Sequence, residues 1–418
     1  MIPMRLFHQK ICLACFAIGT IIALRVDLDS SGIWKQEQKL QHEAVAINIE
    51  VPVRVYDGDV FLDNLSIDDF ELYEDGKLQM IEAVYLIKKK SIEKEEKSGD
   101  EEDTRTAYRP EVSRYFVFIF SVYDYLPKIQ DILDYFFDQV YLPGDTLNIA
   151  TPVKTYNLNP KAIAANLSND EIKKRMELIL QRDIRVANGT YHTLMRDLES
   201  FALETDAENY IRTLRELQQF RYVDLQVLEG FASYLKAREG QKHVFLLYQQ
   251  ESIPLIGDFF DMTSADIEIY DPTRPEGLTM ASQSYITDIL QSLTFDTEKI
   301  KNLFADSSIA AHFLYVTKPL IDSVDILRQG SQRGLRHRDI TEDVYNAFLQ
   351  IAKDTGGIVE SSANVSKAFQ KAAFASENYY LLYYTPKEYT ADGKFRNIKV
   401  RIKGRNFRVN HRAGYIAD

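Results

Sequence analysis

Thr190 and His192 stand two residues apart, a spacing at which an imidazole could draw a proton from a hydroxyl. Such chemistry is normally marked by a nucleophile elbow, a His-Glu-x-x-His helix or a phosphate-cradling loop, and the chain contains none of these. His192 is therefore read as a satisfied surface or core histidine. Asp354-Thr355-Gly356-Gly357 includes the Asp-Thr-Gly of an aspartic protease loop, but that reaction needs two such loops to bring paired carboxylates together, and this chain offers one. At the end of a helical pattern the motif reads as a helix stop, with glycine taking the left-handed turn. Both cysteines, Cys12 and Cys15, lie within the first fifteen residues. The remainder can form no disulfide, zinc-thiolate centre or cysteine nucleophile.

Bulk properties narrow the field further. A chain of 418 residues suggests two or three domains, and 45% hydrophobic residues suffice for real cores. A formal charge of -12 repels phosphate backbones, which argues against a nucleic-acid partner. One basic stretch interrupts this acidity: Arg396, Lys399, Arg401, Lys403, Arg405, Arg408 and Arg412. Charges on an edge strand commonly discourage unwanted strand pairing, and a site for an anionic polymer or lipid headgroup is the sharper alternative. At the N-terminus, Arg5, His8 and Lys10 precede an apolar run over residues 11–24. That run is shorter than the roughly 20 residues a spanning helix needs and fits the core of a secretory signal. Residues 1–24 are read as a signal peptide or, if uncleaved, an N-terminal anchor giving membrane association through residues 11–24.

The elements that would carry a site follow from periodicity. Val45, Ile47, Ile49, Val51, Val53 and Val55 alternate as on a strand with one buried face, and together with Phe70–Tyr73 and residues 78–87 they form an N-terminal β-unit over 45–87. Residues 88–110 form a charged linker, solvated from Lys88 to Thr104. Residues 115–120 (Tyr-Phe-Val-Phe-Ile-Phe), 147–150, 243–248 and 309–316 read as strands of a mostly parallel sheet. Helices are expected over 129–140, from Ser168-Asn169-Asp170-Glu171 with its capping box, over 191–203, over 208–238 and over 341–353. Residues 252–284, rich in Asp, Pro, Thr, Ser and Gly, read as a long surface excursion. Period-two alternation returns with Ile398, Val400 and Ile402. The terminal strands, 377–416, are expected to pack with the N-terminal β-unit around a domain spanning 111–376.

Two motifs carry a resemblance. Leu65-Ser66-Ile67-Asp68-Asp69-Phe70-Glu71-Leu72-Tyr73-Glu74-Asp75-Gly76-Lys77 stands near one end. Near the other stand Asp354-Thr355-Gly356-Gly357, Tyr379-Tyr380-Leu381-Leu382-Tyr383-Tyr384-Thr385-Pro386, Asp392-Gly393-Lys394-Phe395-Arg396 and Arg412-Ala413-Gly414-Tyr415. From about Val45 to Tyr415 the chain resembles the von Willebrand factor A-related proteins of Acidobacteria and related bacteria. The resemblance implies an α/β fold: a Rossmann-like von Willebrand factor A-type domain, mostly parallel sheet with helices on both faces, inserted in a small β-sandwich built from N- and C-terminal strands.

Metal-binding members of such domains gather oxygen ligands from three loops, leaving one position for a partner's carboxylate. By resemblance those positions fall here on Ser121, Tyr123 and Tyr125, on Thr190 in the loop Asn188-Gly189-Thr190, and on Gln249. Tyrosine moves its oxygen several ångströms outward and glutamine supplies no charge, so the site is read as degenerate and free of metal and cofactor. Asp124 is the displaced carboxylate through which an atypical metal site would work. Tyr123, Asp124, Tyr125, Asn188, Gly189, Thr190, Tyr248 and Gln249 are the candidate contacts for a protein partner. The resulting expectation is an extracytoplasmic, noncatalytic binding or scaffolding protein of the cell envelope. A divalent-metal-dependent adhesion protein and an envelope hydrolase are the alternatives.

Overall fold

The nine residues Ile49–Asp57 place Val51, Val53 and Val55 on one face, each with 0% exposure, and this alternation organises the first of four sheets. The structure, a computed structural model, describes residues 47–98, 110, 112–124, 127–158, 168–204, 206–221, 225–254, 296–317, 337–362 and 364–418. The apolar run 11–24, residues 99–109, Tyr125 and residues 255–284 of the expected excursion lie outside the described residues.

In the first sheet β1 (Ile49–Asp57) pairs antiparallel with β2 (Val60–Phe61), with β17 (Arg408–His411) and with β15 (Asn378–Tyr384). On its other side β15 pairs with β5 (Ala83–Lys88), which pairs with β6 (Ser91–Lys97). A second sheet runs β18 (Gly414–Ile416), β16 (Phe395–Ile402), β3 (Phe70–Glu74) and β4 (Lys77–Gln79), all antiparallel. The two sheets share one core, in which Val51, Val53, Tyr380 and Leu382 meet Leu72, Ile398, Val400 and Ile402. Inside it the hydroxyls of Tyr384 and Tyr415 donate to Glu74 Oε2 at 2.6 and 3.0 Å, so the buried carboxylate is held by neutral phenols.

The strand β6 corrects the expected linker. Residues 88–98 stay solvent-facing but are ordered: they turn and add an edge strand to β5, with Ile92 opposite Ile87, Lys94 Nζ donating to Leu65 O at 3.2 Å and Glu96 Oε2 accepting from Ile67 N–H at 2.6 Å. A free strand edge supplies backbone partners that composition does not reveal, and its charges suit an edge.

Between these chain ends lies a third sheet, ordered β14 (Val359–Ser362), β12 (Ile309–Val316), β10 (Gln241–Gln249), β7 (Arg114–Ser121), β8 (Thr146–Ala150) and β9 (Thr155–Leu158). Its pairs are parallel except β8 with β9. Phe116, Phe118 and Phe120 point to one side, against α1 (Pro127–Tyr135), α2 (Asn169–Glu204) and α7 (Val365–Glu377). Val117 and Ile119 point to the other, against α4 (Leu225–Lys236), α5 (Thr297–Asp306) and α6 (Glu342–Asp354). A helix α3 (Ala207–Arg221) packs on α2, and β11 (Ser252–Pro254) pairs antiparallel with β13 (His337–Asp339).

The expected fold class does not hold. Three of the four sheets contain only antiparallel pairs, and parallel pairing is confined to one sheet whose β9 edge is itself antiparallel. The molecule is a mixed α/β protein with mostly antiparallel sheets, not the Rossmann-like von Willebrand factor A-type architecture with a mostly parallel sheet. The reason is the weight of the chain ends: their period-two strands form two full antiparallel sheets, whereas the parallel pattern belongs to the apolar middle alone.

Helix boundaries need correction as well. The stretch 191–203 is not a separate helix, because α2 runs unbroken for 36 residues through Gly189. Ile172, Met176, Leu180, Ile184, Ala187, Tyr191 and Leu198 keep one buried stripe across it, and that burial outweighs the roughly 1 kcal/mol cost of a helical glycine. Its start is as expected: Ser168 Oγ accepts from Glu171 N–H at 3.3 Å, and Glu171 Oε2 accepts from Ser168 N–H at 2.9 Å. Within the pattern over 208–238 the described residues form α3 and α4, and residues 222–224 between them lie outside the described residues. Helix α6 does end before Gly356, whose φ of +72° suits glycine.

Candidate functional site

The first strand of the parallel sheet delivers its C-terminal turn, Ser121 to Asp124, beside the end of β10. Gln249, 2% exposed, turns its side chain back into this turn. Its Oε1 accepts the backbone N–H groups of Tyr123 at 3.0 Å and Asp124 at 3.1 Å, and Nε2 donates to Asp124 Oδ2 at 2.8 Å. Two N–H donors on one atom fix which end of the amide is oxygen.

From the other side α2 contributes Asn188 and His192, four residues apart and so on one helical face. Asn188 Nδ2 donates to Tyr123 O at 2.8 Å and to Asp124 Oδ1 at 3.0 Å. His192 Nε2 lies 3.1 Å from the same Oδ1, which makes it a donor there. The Asp124 carboxylate thus receives three side-chain N–H groups from two elements. Beneath it, the rings of Tyr123 and Tyr191 stack at 4.5 Å with 4° between planes.

The structure brings Tyr123, Asp124, Asn188 and Gln249 into direct contact and sets Ser121 and Tyr248 opposite one another in the β7–β10 register. Gly189 and Thr190 are exposed on α2, and Tyr125 lies outside the described residues. The expected threonine loop is corrected: Asn188, Gly189 and Thr190 are helical, so Asn188 works as a helix-borne clamp. Tyr123, Tyr248 and Gln249 are buried, which leaves the half-buried Ser121, Asp124 and Asn188 and the exposed Gly189, Thr190 and His192 to meet anything outside. Sequence reasoning misses the role of Asn188 and His192 as donors to Asp124. Their signal is present, because residues 188, 191 and 192 continue the helical stripe of Leu180, Ile184 and Ala187, but Gly189 reads as a break in that pattern.

Among the described residues no group of three or more His, Cys, Asp or Glu side chains is placed to hold a metal ion. None of the helices among them is long and apolar enough to cross a membrane. A cleft of about 850 Å³ lies elsewhere, lined in part by Tyr56, Lys353, Glu360, Lys371, Phe374 and Arg408. It takes no residue from the Asp124 cluster.

No family model and no curated protein matches the chain. Among solved structures it is similar to the human COPII-coat protein Sec24c, at 8% identity and a TM-score of 0.27, over 74% of this chain and 44% of that one. The chain thus spans less than half of that protein's length. A likeness this slight carries no argument, and it does not indicate a von Willebrand factor A domain.

Proposed function

We propose that the chain is an exported, noncatalytic protein-binding or scaffolding protein of the bacterial cell envelope, meeting a protein partner at the rim formed by Asp124 and the exposed face of α2. One observation carries the reading. The Asp124 carboxylate, the oxygen best placed to take a cation, already accepts Asn188, His192 and Gln249, while Gly189 and Thr190 beside it are open to solvent. A site built this way recognises by shape and hydrogen bonding, and a cation would first have to displace amide donors. The export part of the proposal rests on the N-terminal charge and apolar pattern, and the preference for protein over nucleic acid on the net charge of -12.

A photo-crosslinking side chain at Thr190, in protein expressed in its native envelope, tests the rim. The expected result is a discrete adduct that is absent with the crosslinker at Leu78 on β4 and lost on Gly189→Arg. Equal capture from both positions, or capture undiminished by Gly189→Arg, would overturn the proposal.

A further inference from the structure

The cleft of about 850 Å³ lies where two edge strands separate. β14 ends the parallel sheet, and β17 ends the first antiparallel one. Their approaches begin as a ladder. Thr355 bridges antiparallel to Arg412, Ala413 N–H donates to Asp354 O at 2.6 Å, and a Cβ on Gly356 would come within 2.8 Å of the His411 carbonyl carbon. Arg54 of β1, 1% exposed, locks this closed end by donating to Gly356 O at 3.1 Å and to the carbonyl of Ala375 in α7. Continued in that register, Val359 would face Arg408. Instead β14 and β17 are unpaired, and both residues line the cleft that opens between them. Its volume falls within the range of ligand clefts, roughly 300–1,000 Å³.

The outer edge of β14 presents main-chain groups there. Ile358 O accepts Phe313 N–H at 2.8 Å, so this carbonyl faces β12. Across the same trans peptide plane the Val359 N–H points the opposite way, out from the open edge of the sheet. It has no partner among the described residues. The edge of β6 carries alternating lysines and glutamates that discourage strand addition, whereas β14 has one charge, Glu360, which Lys371 pairs at 3.1 Å.

The two faces beside this edge differ in chemistry. α7 supplies Phe374, which is 47% exposed, and α6 on the other face supplies Lys353 and Asp354. Asp354 is paired with Lys301 at 3.0 Å, and Asp59 on the far wall with Arg408 at 3.7 Å. Lys353 has no carboxylate within ion-pair distance among the described residues, so the cleft is one negative charge short.

We propose that the cleft accepts an extended segment of a protein partner as an added strand beside β14, its main chain bonded at Val359, an apolar side chain against Phe374 and an acidic side chain, on the alternate face, against Lys353. This contact is separate from the Asp124 rim. The full-length protein, titrated into the fluorescein-labelled peptide Thr-Val-Glu-Val-Thr-Val, should raise its anisotropy saturably with a Kd of about 100 µM or tighter. Ladder donors face one side of a strand, so N-methylation of one alternate set of peptide nitrogens should abolish binding. Val359→Pro removes an N–H that β12 does not use and should abolish it as well. Replacing the peptide glutamate by glutamine should weaken binding about threefold, and Lys353→Gln should erase that difference. Gly189→Arg should leave binding unchanged. Absence of saturable binding, binding indifferent to both methylated peptides or to Val359→Pro, or loss on Gly189→Arg would overturn the site. A missing glutamate preference, or one that survives Lys353→Gln, would overturn the acidic assignment. Should Val359→Pro fail to fold, the methylated peptides on the wild-type protein still decide.

Discussion

The two ends of β7 and β10 solve the problem of buried polarity in opposite ways. At the C-terminal ends, around Asp124, donors and acceptors are matched, with one carboxylate and two amides exchanging hydrogen bonds across three elements. At the N-terminal ends, around His243, donors outnumber acceptors and a buried guanidinium has no carboxylate partner among the described residues. A matched cluster needs nothing added, because each group desolvated on folding finds a replacement for water. An unmatched one carries the desolvation cost of its unpaired groups against the rest of the fold. The difference marks which end is hydrogen-bonded throughout and which end carries unpaired donors.

The comparison can be broken most forcefully at Arg54. Arg54→Ala leaves two carbonyls and a side-chain cavity in the interior, and should cost about 3–5 kcal/mol. Urea unfolding reads this directly, and an unchanged midpoint would mean that Arg54 joins nothing. At the matched end Tyr191→Ala removes the ring stacked on Tyr123 and should cost about 3 kcal/mol by the same measurement. Gln249→Leu strands the N–H groups of Tyr123 and Asp124 and should cost about 2 kcal/mol. Amide exchange would sharpen this, since protection should fall at residues 123 and 124 first.

The histidines set the pH response. His243 and His312 are held neutral in the fold by burial, while in the unfolded chain they titrate near the ordinary value of about 6.5. Below that pH the unfolded state binds more protons, so stability that is fully present above about 6.5 is lost as pH falls, by about 1.4 kcal/mol per unit for each histidine. His243→Phe should flatten the slope of the urea midpoint between pH 7 and 5, and an unaltered slope would exclude this histidine as its source. The smallest effect is expected at Asp124. Adding Mg²⁺ or Mn²⁺ should move the melting midpoint by less than about 1 °C, since its carboxylate already has three donors, and a larger, saturable rise would reinstate the metal-dependent reading.

The legible parts are those where a single period persists. Residues 309–316 read as the strand they form, and the alternation of Ile398, Val400 and Ile402 marks the buried face of β16. The capping box at Ser168 is equally plain, because its bonds lie within four residues. What fails depends on partners distant in sequence. Lys88–Lys97 looks like a linker because its charges say nothing of the vacant edge of β5. The helix through Gly189 looks like a loop because the packing that sustains it comes from Tyr123, 68 positions before Tyr191 in the chain and adjacent in space. The balance between parallel and antiparallel sheets is misjudged for the same reason, since pairing direction belongs to two strands at once.

Composition and local spacing by themselves determined where strands and helices could begin, that cysteine chemistry is confined to the first fifteen residues, and that the chain is acidic. Only the tertiary structure decided that Gln249 answers the backbone of Tyr123, and that Arg54 crosses from β1 to the end of α7. Hydrogen bonding between buried groups depends on ångström-scale placement of residues hundreds of positions apart, which no period along the chain encodes.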